Sequence, residues 1–98
     1  MTNKKFDIKM NYIVIFITVS NKKEAQRIAK ELIRQKLAAC VNIVEKVESL
    51  FWWQAKVERA REALLIVKTK KELLNKLIRL VKSLHSYTVP EIIALPII

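Results

Sequence analysis

The sequence of 98 residues predicts an α+β fold in which an antiparallel four-stranded sheet carries two helices on one face. Three observations predict it: four apolar, β-branched stretches typical of strands, two stretches with apolar residues at helical spacing, and their order along the chain. That order, β-α-β-β-α-β, is the ferredoxin-like arrangement. We expect a single domain over residues 12–98, preceded by a flexible basic arm over residues 1–11.

The first half of the chain predicts a strand, a helix and a long second strand. Residues 12–19 are apolar or β-branched at nearly every position, which indicates a strand that is apolar on both faces. Asn21 followed by Glu24 is a capping-box pattern, and the apolar spacing after it predicts a helix that runs to about Lys36. The second strand covers residues 37–53, which makes it either unusually long or bulged.

The second half begins at the tip of a long hairpin, which we place at Gln54 and Ala55. The third strand returns over residues 57–67, a second capping-box pattern over residues 69–72 opens the second helix, and residues 91–98 form the fourth strand. Because the chain contains no glycine, we expect the hairpin tip either to be loose or to hold Ala55 at an unfavourable positive φ.

Composition excludes several classes of function. Without glycine the chain cannot form a glycine-rich phosphate loop, a dinucleotide-binding fingerprint or a nucleophile elbow. No Ser-His-Asp arrangement is suggested, so we predict no enzymatic activity. The single cysteine, Cys40, excludes an intrachain disulfide and fits a reducing compartment. Because the apolar run at residues 12–19 is too short for a membrane span and no cleavage site follows it, we expect a cytoplasmic protein without a membrane partner.

The strongly basic composition invites a nucleic-acid hypothesis. Nineteen Lys and Arg residues against nine Asp and Glu residues give a formal net charge of +10. The basic residues are scattered over the N-terminal arm and the polar faces of the two predicted helices, a pattern typical of solvated surfaces. An RNA-recognition module stacks bases on aromatic residues of its first and third strands, but the third strand here carries none. The sequence therefore argues against nucleic-acid binding.

The apolar strands predict that the protein assembles with copies of itself. Two helices cover only one face of a four-stranded sheet, yet residues 12–19 and 63–67 are apolar at consecutive positions. The uncovered face would then be a large apolar patch, which monomers rarely expose. Self-association follows from this pattern, whereas the number of copies does not.

Three scarce side chains are candidate metal ligands. Cys40, His85 and Glu91 supply a thiolate, an imidazole and a carboxylate, which are common metal-ligating groups. Their separation forms no local ligand motif, so packing of the cysteine and hydrogen bonding of the histidine in a turn remain the alternatives. Trp52 and Trp53 near the hairpin tip point to opposite faces of the strand, and burial, an intersubunit contact and a ligand-stacking platform are all open for them.

Four blocks of the sequence match one known family in the same order. They are residues 36–43, with the sequence KLAACVNI, the FWW triplet at residues 51–53, residues 62–69, and residues 84–96. Together they resemble the CutA family of divalent-cation tolerance proteins, over residues 12–98. The resemblance implies a homotrimer of ferredoxin-like subunits whose long hairpins cross between neighbours, and a role in tolerance of copper and other divalent metals. It also implies similarity to the trimeric signalling protein PII.

The resemblance further implies which residues line the cleft between subunits. The matching positions are Cys40, Glu62, Lys68, His85, Tyr87 and Glu91. We expect Trp52 and Trp53 to line the same cleft. The sequence departs from the family pattern at Ser86, where a proline is usual, and at Ala55, where a glycine is usual. It also ends at Ile98, whereas the family continues into a C-terminal helix.

We therefore expect a non-catalytic homotrimer that binds copper or another divalent metal ion weakly through Cys40, His85 and Glu91. Copper(II) is expected at His85 because neutral imidazole is its best available donor, and copper(I) at the softer thiolate of Cys40. The alternative is a PII-like signalling module that binds a small molecule or a protein partner in the cleft between subunits. The sequence identifies no particular protein partner.

Overall fold

The computed structural model describes residues 11–98 and has the predicted α+β architecture. The elements in chain order are β1 (Tyr12–Val19), α1 (Lys22–Arg34), β2 (Cys40–Trp53), β3 (Lys56–Lys70), a 3₁₀ turn (Lys71–Leu73), α2 (Leu74–Leu84) and β4 (Ile92–Pro96). The four strands lie in the order β2-β3-β1-β4, and every neighbouring pair is antiparallel. The predicted arm over residues 1–11 lies outside the described residues except for Asn11, whose carbonyl accepts a hydrogen bond from Lys71 N.

Alternate side chains of β1 form the centre of the core. Ile15 and Ile17 are completely buried together with Leu65 and Val67 of β3, with which they pair on the helix-covered face. The apolar stripes of both helices close this core, with Ile28, Leu32, Leu77 and Val81 also completely buried. Burial of each such side chain stabilises the fold by about 1.5–3 kcal/mol. The intervening residues of β1 point to the opposite face of the sheet, which no described element covers.

The β2–β3 hairpin is the longest feature of the molecule, whose described residues extend over 54 × 31 × 21 Å. Its register shifts between Val44 and Val47, where Lys46 takes a φ of 57°, so the predicted bulge is confirmed. Towards the tip the hairpin exposes large apolar side chains, namely Leu50, Phe51, Trp52, Trp53 and Val57. A surface of this composition is typical of an interface.

Among residues 11–98, four non-glycine residues take positive φ values. Gln54 and Ala55, at 50° and 65°, form a two-residue hairpin tip with the pair of positive values that a type I′ turn requires. The tip lies where we predicted it, and it is tight and strained rather than loose. Lys36, at 57°, ends α1: its N–H binds Ile33 O and the next N–H, of Leu37, binds Leu32 O, the pattern of a Schellman motif.

We expect Ala55→Gly to raise the free energy of unfolding by about 1 kcal/mol, because glycine adopts positive φ without a Cβ clash. Equilibrium denaturation in urea measures the change. The matched control is Ala60→Gly in the middle of β3, which should lower stability by about 0.5–1 kcal/mol. An unchanged or lower stability of Ala55→Gly would show that alanine already suits the turn.

Four predicted boundaries are wrong, and one of them is the end of the third strand, which runs to Lys70 instead of Val67. The capping-box pattern at residues 69–72 does not cap a helix: Thr69 belongs to β3, its side chain is buried, and its hydroxyl donates to Leu37 O at 2.7 Å. The second helix therefore follows a 3₁₀ turn and begins at Leu74. The second strand begins at Cys40 instead of Leu37, because the residues before Cys40 form the end of α1. The fourth strand, Ile92–Pro96, is shorter than predicted.

Neither of the two helices found within residues 11–98 has the length and hydropathy needed to cross a membrane.

Candidate functional site

A buried carboxylate ties the N-terminus of α1 to the turn between α2 and β4. Glu24, which is only 5 % exposed, accepts hydrogen bonds from Ser20 N at 2.8 Å and Ser20 Oγ at 2.6 Å. It also accepts hydrogen bonds from the backbone N–H and the hydroxyl of Ser86, 62 residues along the chain. The predicted cap is confirmed, since Glu24 N donates to Asn21 Oδ1 at 2.8 Å. The Glu24 carboxylate accepts its hydrogen bonds from Ser20 and from the distant Ser86, and not from the N–H of Asn21 as in a capping box.

The hydrogen bonds to Glu24 determine its ionisation. Burial by itself would raise the pKa of this carboxyl, but the four hydrogen bonds from Ser20 and Ser86 outweigh burial and lower the pKa to about 2. Arg27 Nη2 lies 3.9 Å from the same carboxylate. Glu24 is therefore a permanently charged anchor for the turn at neutral pH.

The ring of His85 is fully buried and both of its nitrogens contact the backbone. Nε2 lies 2.8 Å from Thr18 O, which can only accept, so Nε2 carries the proton. Nδ1 accepts from Tyr87 N at 3.0 Å and is therefore unprotonated. Since neither nitrogen is free, the structure does not place His85 as a metal ligand; it has the alternative role, a hydrogen-bonded turn residue.

Tyr87 links this turn to the hairpin. Its hydroxyl donates to Glu62 Oε2 at 2.7 Å, and its ring centroid lies 4.7 Å from that of His85. Burial raises the pKa of the Tyr87 phenol to about 12, with a further contribution from the hydrogen bond to Glu62. The two sequence-predicted cleft residues Glu62 and Tyr87 are therefore in direct contact.

Cys40 lies away from this turn. It pairs with Lys68 across β2 and β3, and Lys68 pairs in turn with Val14 of β1. His85 contacts Thr18, four residues further along β1, which is a separation of roughly 13 Å along the strand. The structure does not bring Cys40 and His85 together. Within residues 11–98, no three His, Cys, Asp or Glu side chains are grouped closely enough to hold a metal ion.

An open cleft of about 1060 Å³ lies between the hairpin and the 86–91 turn. Of the sequence-predicted site residues, Trp53, Glu62, Tyr87 and Glu91 line it, whereas Cys40, His85, Trp52 and Lys68 do not. Glu58 contributes a third carboxylate, and the lining includes no Lys, Arg or His side chain. In a protein with a net charge of +10, the cleft is therefore locally acidic.

Residues 13–98 match the family described as the CutA1 divalent ion tolerance protein. This chain belongs to the CutA1 family. The match covers every element of the fold except the first residue of β1. The resemblance found in the sequence blocks is thus confirmed.

The chain is also similar to individual CutA proteins. It is 53 % identical over 85 residues to the chloroplastic CutA 1 protein of Oryza sativa, covering 87 % of this chain and 48 % of that protein. It is 51 % identical to the divalent-cation tolerance protein CutA of Thermus thermophilus, covering 86 % and 82 % of the two chains. The chain thus spans about half the length of its plant relative.

Solved CutA1 structures have the same fold. The crystal structure of CutA1 from Oryza sativa superposes with a TM-score of 0.87 at 52 % identity, covering 89 % of this chain and 80 % of that one. CutA1 from Thermus thermophilus gives a TM-score of 0.86 at 50 % identity, covering 88 % and 84 %. The ferredoxin-like architecture of this CutA1 chain is therefore shared with its relatives.

Sequence reasoning missed the role of Glu24 and Ser86. The capping-box pattern identified Glu24 only as a local helix signal, and Ser86 was noted only as a departure from the family's proline. A proline at position 86 would have no N–H to donate, so serine is what permits the backbone contact with Glu24. No local pattern in the sequence connects the two positions.

We expect Glu62→Gln to lower the pKa of Tyr87 from about 12 towards its ordinary value of 10, because the nearby negative charge disfavours the phenolate. The chain has two tyrosines, so absorbance titration in a Tyr12→Phe background isolates Tyr87. Glu91→Gln, which alters a carboxylate of the same cleft that is not bonded to the phenol, is the control. An unchanged Tyr87 pKa in Glu62→Gln would contradict the contact.

Proposed function

We propose that this CutA1-family protein is a non-catalytic, cytoplasmic homotrimer that binds divalent cations, copper(II) included, in the cleft between the hairpin and the 86–91 turn. The observation that carries the proposal is the charge of this cleft. Glu58, Glu62 and Glu91 line it without any basic side chain, although basic residues outnumber acidic ones two to one in the sequence. Such a lining attracts a cation and repels an anion.

The donor set favours weak binding. The available ligands are carboxylates and hydroxyls, which bind divalent cations through oxygen, and copper(II) binds most strongly among the divalent first-row metals at a given site. Because one chain does not gather three metal-ligating side chains within residues 11–98, a stronger site would need a second copy to complete it. Of the originally predicted ligands, Glu91 is retained in this cleft. Cys40 remains the candidate for copper(I).

The uncovered apolar surfaces support assembly. Phe16, Ile66 and Ile93 occupy adjacent register positions on the face of the sheet opposite the helices. The hairpin adds Trp52 and Trp53, which are 76 % and 60 % exposed. Monomers rarely expose apolar surfaces of this extent. Light scattering coupled to size exclusion should give about three times 11.5 kDa, whereas a stable monomer at micromolar concentration would contradict the trimer.

We expect the double variant Glu58→Gln/Glu91→Gln to weaken copper(II) binding by about ten-fold or more, since two of the three cleft carboxylates lose their charge. Isothermal titration calorimetry measures the affinity. The control, Glu45→Gln/Glu48→Gln, makes the same change of charge on β2 outside the cleft and should bind as the parent does.

Cys40→Ser should also leave copper(II) binding unchanged, because Cys40 does not line the cleft. Equal affinities of the parent and the Glu58→Gln/Glu91→Gln variant would contradict the cleft as the metal site. If the protein bound ATP and showed no binding of metal, the PII-like alternative would be favoured instead.

A further inference from the structure

We propose that the helix layer of this protein binds the phosphate backbone of double-helical nucleic acid without reading its sequence. The helix layer is defined as residues 22–36 and 71–84, which comprise both helices and their immediate flanks. It lies on the face of the sheet opposite the apolar surface described above, and it plays no part in the acidic cleft. The proposal is therefore independent of metal binding.

The fold segregates charge between this layer and the rest of the molecule. The helix layer carries ten Lys and Arg residues against three Glu residues. The remaining described residues carry six Lys and Arg residues against five Glu residues. One of the three layer glutamates, Glu24, is buried. Seven of the eight net positive charges of the described residues therefore lie in the helix layer.

The basic side chains of the helix layer are all exposed. Arg27 Nη2 donates to Leu84 O at 2.8 Å, which fastens the first helix to the end of the second. Lys30 and Arg79 are exposed near the middle of the two helices, and among residues 11–98 they form no ion pair. The basic residues that are scattered along the sequence thus lie together on the helix-covered side of the sheet, as their positions on the polar faces of both helices imply.

The dimensions and chemistry of the layer fit a duplex. The 13 residues of α1 span about 20 Å, and a DNA duplex of that length carries about 12 phosphates. Electrostatic contact with phosphates alone is independent of base sequence. A membrane partner fits less well because the apolar stripes of both helices are buried against the sheet, which leaves Ile33 as the one large apolar side chain of the layer that is strongly exposed within the described chain.

Fluorescence anisotropy with a labelled DNA duplex of 20 base pairs and mixed sequence tests the proposal. We expect binding at 50 mM salt that weakens by about 100-fold at 200 mM salt, as for about four phosphate contacts. Lys30→Glu/Arg79→Glu should weaken binding by about ten-fold or more at 50 mM salt. The matched control Lys56→Glu/Arg61→Glu makes the same change in net charge on the hairpin and should alter binding by less than about three-fold.

Circular dichroism establishes that each variant is folded, and Lys30→Gln/Arg79→Gln replaces the charge-reversed variant if that one unfolds. Equal losses in the helix-layer variant and the hairpin control would overturn the proposal, because net charge alone would then explain binding. Absence of duplex binding at 50 mM salt would also overturn it. So would tighter binding to vesicles of phosphatidylcholine and phosphatidylserine than to the duplex at the same salt concentration.

Discussion

Glu24→Ala is expected to lower the free energy of unfolding at pH 7 by about 3 kcal/mol, because hydrogen bonds to a charged group are strong and their buried donors are left unpaired. Four donor groups, two on Ser20 and two on Ser86, contact this carboxylate. Loss of these hydrogen bonds should free the 86–91 turn from α1 and weaken the contact between Tyr87 and Glu62. Equilibrium denaturation measures the stability.

The contribution of Glu24 should disappear in acid. Its folded-state pKa of about 2 lies below the ordinary 4.5, so the carboxylate stabilises the fold fully above about pH 4.5 and loses this effect as the pH falls towards 2. The difference corresponds to about 3 kcal/mol. The stability difference between the parent and Glu24→Gln should therefore shrink between pH 5 and pH 2.

Glu31→Gln is the control for this experiment. The hydrogen bond from Arg34 also lowers the pKa of Glu31 to about 2, but this pair lies on the helix surface, where solvent screens it. We expect a much smaller pH-dependent loss in this variant. If Glu24→Gln and Glu31→Gln lost stability equally, the buried network would not anchor the turn.

Leu65→Lys is expected to prevent folding, whereas Ile66→Lys should leave the chain folded and abolish the proposed trimer. Leu65 is completely buried between sheet and helices, where an unpaired charge costs several kcal/mol. The side chain of Ile66 lies on the opposite, uncovered face, so a lysine there reaches solvent in the monomer but not in a sheet-to-sheet interface. Lysine substitutions at these two adjacent positions therefore distinguish an effect on folding from an effect on assembly.

Circular dichroism and light scattering together decide this prediction. Ile66→Lys should keep the secondary structure of the parent with the mass of one chain. A folded Leu65→Lys chain would contradict the described core. An Ile66→Lys chain that retained the trimer mass would show that the uncovered sheet face is not the interface.

Much of the fold was predictable because its signals are local. Apolar, β-branched stretches and helical spacing identified the four strands and both helices found within residues 11–98, and the cap at Asn21 was confirmed. The hairpin tip was located correctly because a long two-stranded segment needs a turn near its middle, and its positive φ values follow from turn geometry. The helix start predicted at Thr69 was wrong because the Thr-x-x-Glu spacing of a capping box occurs here at the end of a strand. The Thr69 hydroxyl donates to the distant carbonyl of Leu37 instead of capping a helix.

The candidate site was predictable only in part. The resemblance grouped Glu62, Tyr87 and Glu91 with Trp53, and the structure places these four residues in one cleft of a single chain. It could not show that backbone contacts occupy both ring nitrogens of His85, because one of those contacts is with Thr18 on another strand. Nor could it show that Cys40 lies far from His85 along the strand direction, since strand register sets the distance between the two residues.

The sequence by itself determined the elements, their order and the membership in the CutA1 family, since periodicity, caps and motif blocks are properties of neighbouring residues. Only the tertiary structure decided that Glu24 holds Ser86 and that the cleft is acidic. The physical reason is that hydrogen bonds and electrostatic fields depend on distance in space. Strand pairing and helix packing set those distances between residues far apart in the chain.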